Sequence, residues 1–586
     1  MKRIHALPLY ALLILALALP GAAVGEYYER PPINRQISSN TSITLKNVPE
    51  ASLLRTDTLV IGVQNLYGEQ NPFWVQTTGD DRVASLQFDE LLFANNAGEV
   101  GAGVATYETS LNGLTHTFTV REGVRYVSDG APVTADDFIN ALYLLLTPGF
   151  DGVYDLTRAG IIGAEAYQSG EALAISGIQR LSDRAFSVTF ATRNPASLIY
   201  LAIPALRVSA FGDVLRPEAA ATPEAFFDHC AKALAQVKKA DAAQGAYGQY
   251  ALTALTPGVS AEFTANADYW RGAPNITNVQ VLVVPVDQEF EAIMSGQVDM
   301  ISLMGTVDRV TGAYNNGEGF INLYTWQGDV LGYLGMDMDS AFFSDAGVRE
   351  ALAIGFDRNA ASYDAIAQYG QLPGTLLFDS FALSSNMLGE QYPHDPERAA
   401  RLLEDAGWLL DADGVRRRDG EAFAFTLLCN DPNPLMDKIL MWMDAGYKEL
   451  GLDMEVVRLP LDEVITAVDA GAYDMYFLAR RLPASAALAA DLFAGDSPLN
   501  LSDYSTDALD RFLAWAAYET DADRQTVIYE GLYQELYLEL PFIPLYRRSE
   551  TLLINARVMN ATITTAHDIT SDVYRFFLTD TLEGQW

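Results

Sequence analysis

The chain has 586 residues, more than a single hydrophobic core can serve, so several domains or one multi-lobed body are expected. With 49% hydrophobic and 19% charged residues, its composition is that of a globular protein rather than a disordered one. Its 38 basic residues face 76 acidic ones, and a formal net charge of −38 repels nucleic-acid phosphates and anionic bilayers; the charge reads most simply as solubility.

Residues 1–25 form a separate unit. Lys2 and Arg3 make a basic start, Leu9–Leu19 is an apolar run, and Pro20, Gly21, Ala22, Ala23 and Gly25 follow. This is the order of a signal peptide, and the run is short of the roughly 20 residues a membrane span needs. Export follows, with cleavage expected after Ala23 or Gly25; an uncleaved N-terminal anchor is the alternative. Residues 26–56, opening Glu26-Tyr27-Tyr28-Glu29-Arg30-Pro31-Pro32 and then rich in Ser, Asn and Thr, read as an extended lead.

The folded body starts with the strand TLVIGV at Thr58. Thr115–Val120 alternates as a strand, Ser128-Asp129-Gly130 is a turn, and Thr134 with Asp137 sets a capping box before Phe138, Ala141, Leu142 and Leu145 recur at helical spacing. Further strand-like runs are Ala185–Phe190, Val279–Val284, Phe423–Leu428 and Met454–Val457. Between them come helices from about Asp287 to Ser295, from the Asp395-Pro396 cap to Gly407, and from Asp521 to Leu540. Alternating strands and amphipathic helices give an α/β class.

The search for reactive groups is mostly negative. His5, His116, His229, His394 and His567 are scattered, with no H-E-x-x-H pair, and neither a G-x-S-x-G elbow nor a phosphate loop follows a strand. Asp411-Ala412-Asp413-Gly414 lacks the spacing of a calcium loop and reads as a hairpin turn. Met336-Asp337-Met338-Asp339 is expected to alternate on a strand with both carboxylates on one face, an arrangement that suits a metal or a glycosidase pair, although most such pairs are surface or loop carboxylates. Cys230 and Cys429 lie far apart and read as two buried free thiols, with a disulfide the alternative in an exported protein. No cofactor or metal is expected.

The segment Gly113–Leu146, GLTHTFTVREGVRYVSDGAPVTADDFINALYLLL, resembles the "T-F-x-L-R-x-G-V-x-F-x-D-G-x-P-x-T-A-x-D-F" signature of the family-5 extracellular solute-binding proteins, the oligopeptide and dipeptide receptors of bacterial ABC importers. Asn71-Pro72 and Phe88–Leu92 resemble the family's opening "N-P … Y-E-G-L"; Gly248–Tyr250 and Asn266–Trp270 resemble "G-P-Y … N-P-x-Y-W". Ala292–Asp299, Val348–Arg358, Glu397–Trp408 and Pro541–Tyr546 match later motifs in the family's order. The resemblance implies a bilobal, periplasmic-binding-protein-like α/β fold of type II, in the large class with an extra subdomain inserted in lobe one. On that pattern lobe one is 57–95, 200–322 and 510–586, the insert is 96–199, and lobe two is 323–509. It further implies a monomeric receptor rather than an enzyme, lying in the periplasm or on the outer face of the membrane. Its partners are then a peptide or peptide-like solute and the membrane permease. Many relatives are lipoproteins held by a Cys just after the apolar run, and none stands there in this chain.

The binding segment departs from the family. Where peptide receptors carry "G-W-x-x-D-x-x-D-P", whose Asp holds the ligand's α-ammonium group, this chain has Ala479-Arg480-Arg481-Leu482-Pro483-Ala484-Ser485 after Tyr473-Asp474. Arg480 and Arg481 either meet an anionic or hydroxyl-bearing ligand through forked hydrogen bonds or pair with nearby carboxylates. Trp326, at the expected crossing between lobes, either stacks on ligand or belongs to the interlobe core. Tyr269 and Trp270 read as packing. An oligosaccharide or opine-like ligand and an extracytoplasmic hydrolase are the rival readings. N-terminal sequencing of the envelope or secreted fraction is expected to find a mature chain beginning near Glu26; a cytoplasmic product starting at Met1 overturns the export reading.

Overall fold

Twelve strands of one mixed sheet organise the described part of the chain. In chain order they are β1 (Ser38–Asn40), β2 (Thr58–Val63), β3 (Tyr250–Thr256), β4 (Ser260–Ala265), β5 (Asn278–Val283), β6 (Met300–Leu303), β7 (Ile321–Met336), β8 (Gly370–Gln371), β9 (Ala424–Asn430), β10 (Asp453–Leu459), β11 (Met475–Arg481) and β12 (Phe542–Asn555). Their spatial order is β10-β9-β11-β7-β12-β6-β2-β5-β4-β3, with β1 added to β7 and β8 to β12. The computed structural model describes residues 38–40, 45–75, 77–94, 100–193, 195–211, 222–303, 319–366, 370–371, 392–481, 490–495, 497, 500, 504–519, 521–561, 563 and 569–580. The signal segment 1–25, residues 26–37 and 41–44 of the lead, and 482–489 after the two arginines lie outside them.

Alternation along the strands decides which side chains reach which core. In the half built on β2, Leu59, Ile61 and Val63 join Leu552 and Ile554 in one apolar cluster. Val60 and Leu553 point the other way, into a cluster with Ile293, Val298 and Ile301. The half built on β9 and β11 repeats the scheme: Leu334, Met336, Leu427, Met475 and Phe477 on one face, Leu331, Tyr333, Leu428 and Tyr476 on the other. Strands covered on both faces carry near-continuous apolar runs, which is why TLVIGV reads as it does.

A separate four-stranded antiparallel sheet, in the order Ala105–Thr109, Thr115–Val120, Ala185–Thr189, Ile178–Arg180, packs under the helix Ala135–Leu146. The capping box forms there, with Thr134 N donating to Asp137 Oδ2 at 2.8 Å. Phe138, Ala141, Leu142 and Leu145 are buried, and the same core takes in Phe73, Leu91, Phe226 and Tyr247 from the flanking chain. Helix Pro396–Asp405 is capped by Asp395, whose Oδ1 accepts from Arg398 N at 2.8 Å, and helix Ala522–Glu539 is capped by Asp521.

Local expectations are modified at three places. The helix expected over 287–295 is a 3₁₀ turn, Val286–Gln288, followed by the short helix Glu289–Met294. Strand β7 ends at Met336, so Asp337 and Asp339 are not on a strand face. Asp337 N bonds Asp474 O, and Asp337 Oδ1 accepts from Asp339 N at 3.1 Å, which turns the chain. The geometry offered for a paired-carboxylate hydrolase is therefore absent at these residues. Finally, helices Asp507–Tyr518 and Ala522–Glu539 lie largely beyond the boundary expected at 510, yet Leu513, Leu532 and Leu536 pack with Leu331, Tyr333 and Tyr476. These two helices thus share one apolar core with β7 and β11. Asp411 sits in a hairpin turn, its Oδ1 accepting from Asp413 N and Val415 N. Cys230 and Cys429 are buried, unpaired thiols in different clusters.

The β2 half is locked by one buried carboxylate. Asp299 accepts from Val60 N (3.0 Å), from Arg557 Nε and Nη2 (2.8 and 2.9 Å) and from Arg55 Nη2 (3.1 Å), tying three segments far apart in sequence. Both Asp299 and Arg557 are buried. Removing one member of such a pair strands the other in low dielectric, so Arg557→Ala is expected to cost about 3–5 kcal/mol, read as a lowered urea midpoint at unchanged slope.

Candidate functional site

Two long strands carry the sheet from one half to the other. Ile321–Gln327 of β7 pairs with Ser549–Asn555 of β12 on the β2 side, and Leu331–Gly335 pairs with Phe542–Arg547 on the β9 side. Between them the register shifts: Gln327 faces Ser549 and Leu331 faces Arg547, so β7 carries extra residues at the passage. Edge pairing changes there as well. The edge of β7 is taken by β1 at Leu323–Thr325 and by β11 from Val330 to Met336.

Register places the two sequence-selected arginines at this passage. Arg480 pairs with Leu331 and Arg481 with Val330, at the end of β11. Successive positions of a strand lie on opposite faces, so the two do not share one. Arg480 shares its face with Tyr476 and Tyr333, and its charge opposes the burial that raises both phenols; Tyr333 is pushed up to about 12. The rings of Tyr333 and Tyr476 meet edge to face at 6.1 Å. Trp326 lies on the other side of the passage, opposite Glu550, half-buried against the cluster that contains Leu552 and Ile554. The structure thus brings Trp326, Arg480 and Arg481 to one crossing.

A cavity of ≈ 150 Å³ lies on the β2 side, lined among others by Asp81, Phe88, Asp89, Glu90, Tyr154 and Ser571. Helix Thr78–Gln87, capped by Thr77, leads into it; three carboxylates and three rings line it, with the Arg271 guanidinium behind the wall, 5.5 Å from the centre of the Phe93 ring and interacting electrostatically with Asp89. Burial first, then the carboxylates of Glu90 and Asp81, holds the Tyr154 phenol far above its ordinary value. Asp89 is fixed by Trp270 Nε1 at 2.6 Å and Tyr269 Oη at 3.2 Å. Those two aromatics pack as expected, and their polar ends also orient a cavity carboxylate. Sequence reading quoted Phe88-Asp89-Glu90 as a motif without assigning it a site, and Tyr154 lies in a loop between motifs with no signal of its own. The helix Asp507–Tyr518, from the β9 side, touches the 3₁₀ turn Pro195–Leu201 just before Pro204 of the cavity wall.

Among the described residues no three His, Cys, Asp or Glu side chains converge as metal ligands, and no helix is long and apolar enough to cross a membrane. The arrangement offers charged and aromatic groups for enclosing a ligand.

Fold and site together define a two-lobed solute receptor. The sequence matches the bacterial extracellular solute-binding proteins, family 5 Middle, over residues 99–486, and the chain belongs to that family. Among curated relatives it is 22% identical to the periplasmic oligopeptide-binding protein OppA of Salmonella typhimurium over 515 residues, covering 83% of this chain and 86% of that one. It is 22% identical to the oligopeptide-binding protein AppA of Bacillus subtilis over 291 residues, a match spanning 48% of this chain and about half, 52%, of the relative. The solved structure of that AppA in complex with a nonapeptide superposes with a TM-score of 0.71 at 17% identity, covering 90% of this chain and 99% of the other. The bilobal α/β expectation is borne out. Filling the cavity tests whether ligand enters it: Ser85→Phe is expected to weaken binding of the co-purifying ligand at least tenfold in titration calorimetry, with a melting temperature near the parent's.

Proposed function

We propose that the chain is the extracytoplasmic receptor of an ABC importer, enclosing a peptide or peptide-like solute between its lobes and delivering it to the membrane permease as a monomer. The family membership supports the receptor class, and the ligands named for OppA and AppA support the peptide class. The observation that carries the reading is a pair of differently charged regions, one in each half. An acidic, aromatic cavity stands on the β2 side, and Arg480 stands at the end of β11 on the β9 side. A cationic end of the ligand suits the first and an anionic or blocked end the second, so the cavity takes over the anchoring of an amine that the family's missing Asp performs elsewhere. Trp326 offers a ring at the crossing for stacking. Closure is a hinge motion of the two lobes, and no covalent step is involved.

A random tripeptide library with free and with amidated C-termini, scored by native mass spectrometry, tests this. The parent is expected to retain peptides and to favour the free carboxylate. A forked Arg–anion contact contributes about 1.5–3 kcal/mol, so Arg480→Ala should lower affinity by about one to two decades and remove that preference. Arg481→Ala, on the opposite face, is expected to differ from it. Retention of no peptide overturns the peptide reading, and retention without carboxylate preference limits it to peptides held by other groups.

A further inference from the structure

The geometry points to Arg547 as a positioning residue that sets the angle between the lobes and the register of Arg480 against Trp326. The ladder between β7 and β12 is interrupted from Gly328 to Val330, where β7 carries the extra residues and Val330 pairs instead with Arg481 of β11. Arg547, on the other crossing strand and almost fully buried, bonds into this stretch: its Nε donates to Gly328 O at 3.0 Å. The bond joins the two strands that pass between the lobes, at the point where their pairing is irregular.

Two further observations make this a defined joint. A side chain at position 328 has no room, since a Cβ there would lie 2.7 Å from the Arg548 carbonyl oxygen, a backbone atom that cannot swing aside. The bulge therefore requires glycine at that position and is held there by a guanidinium. Leu331, the first residue back in register, is the cross-strand neighbour of both Arg547 and Arg480, so the three lie in one row on one face. A slip of one residue in β7 at the bulge would send Leu331 to the opposite face and move Arg480 relative to Trp326. In this way Arg547 governs where the β9 half, with Arg480, sits relative to the β2 half.

Interlobe distance tests the inference without any ligand. Spin labels at Leu54→Cys and Met441→Cys, both exposed and on different halves, report it in the whole protein, since Cys230 and Cys429 are buried. The parent is expected to give one narrow distance distribution. Arg547→Met should shift or broaden it by several ångströms at temperatures well below melting, Arg547→Lys should restore it in part, and Gly328→Ala should disturb it as Arg547→Met does. Parent-like distributions in folded Arg547→Met and Gly328→Ala overturn the inference. Loss of folding in both overturns it too, because the residues are then required for stability rather than for setting an angle. The purpose assigned to the angle rests on the receptor reading, but the measurement does not: a protein that retains no peptide can still pass or fail the distance test.

Discussion

Everything in this molecule that bears on a ligand depends on one constraint: among the described strands, β7 and β12 carry a continuous hydrogen-bonded sheet from one half to the other. Inside each lobe the strands have neighbours on both sides and apolar clusters on both faces, so their register is fixed many times over. At the passage β7 and β12 pair with a shifted register, with β11 joining β7 from Val330 and β8 joining β12 at Arg547 and Arg548. The shift between Gln327 and Leu331 is what such a strand pair tolerates when it must also bend. Motion between lobes, if it is to leave both cores intact, has to be absorbed at this place.

Local structure was legible in the sequence wherever the information sits within a few residues. The Thr134–Asp137 capping box, the Asp395 cap and the helix start near Asp521 need no distant partner and are legible in spacing, while the Asp411 turn follows from its likeness to the family's turn after the A-G-W motif. The bilobal fold came from the family motifs rather than from hydrophobic pattern, because β7 and β12 meet across more than 200 residues of chain, a separation that carries no periodic signal. The same limit explains the site. Arg480, Arg481 and Trp326 could be singled out as unusual residues, but not which of them share a face, which is a matter of register. The motif match at Pro541–Tyr546 ends one residue short of Arg547, and nothing in the sequence marks that arginine as the partner of Gly328. Met336–Asp339 misled for a related reason: alternation of apolar and acidic residues suits a strand, but the chain already turns at Asp337.

The two charged parts of the site differ in how their charge is used. In the cavity, Asp89 is fixed by two aromatic donors and the Tyr154 phenol is held neutral, so the negative field comes from groups that hardly need to rearrange when a cation enters. At the crossing, Arg480 is half-buried beside Tyr333 and Tyr476. A guanidinium in such surroundings gains more from an anion than one on the open surface, since screening is weaker there.

That difference matters because the whole protein carries a formal charge of −38. At long range such a surface attracts cations and repels anions, but at physiological ionic strength charges more than about 8 Å apart are largely screened. The global charge therefore acts chiefly on the rate of encounter, and the arginines on what is kept once the lobes have met around it. A zwitterionic ligand feels little net repulsion on approach and finds complementary ends inside, whereas a purely anionic solute must reach Arg480 against the field of the body. The sequence departure that removed an acidic anchor beside β11 and put two arginines there thus does not turn the protein into a general anion binder. On the function proposed above, it would set which way round a dipolar ligand lies, amine toward the acidic cavity and carboxylate toward the joint between the lobes.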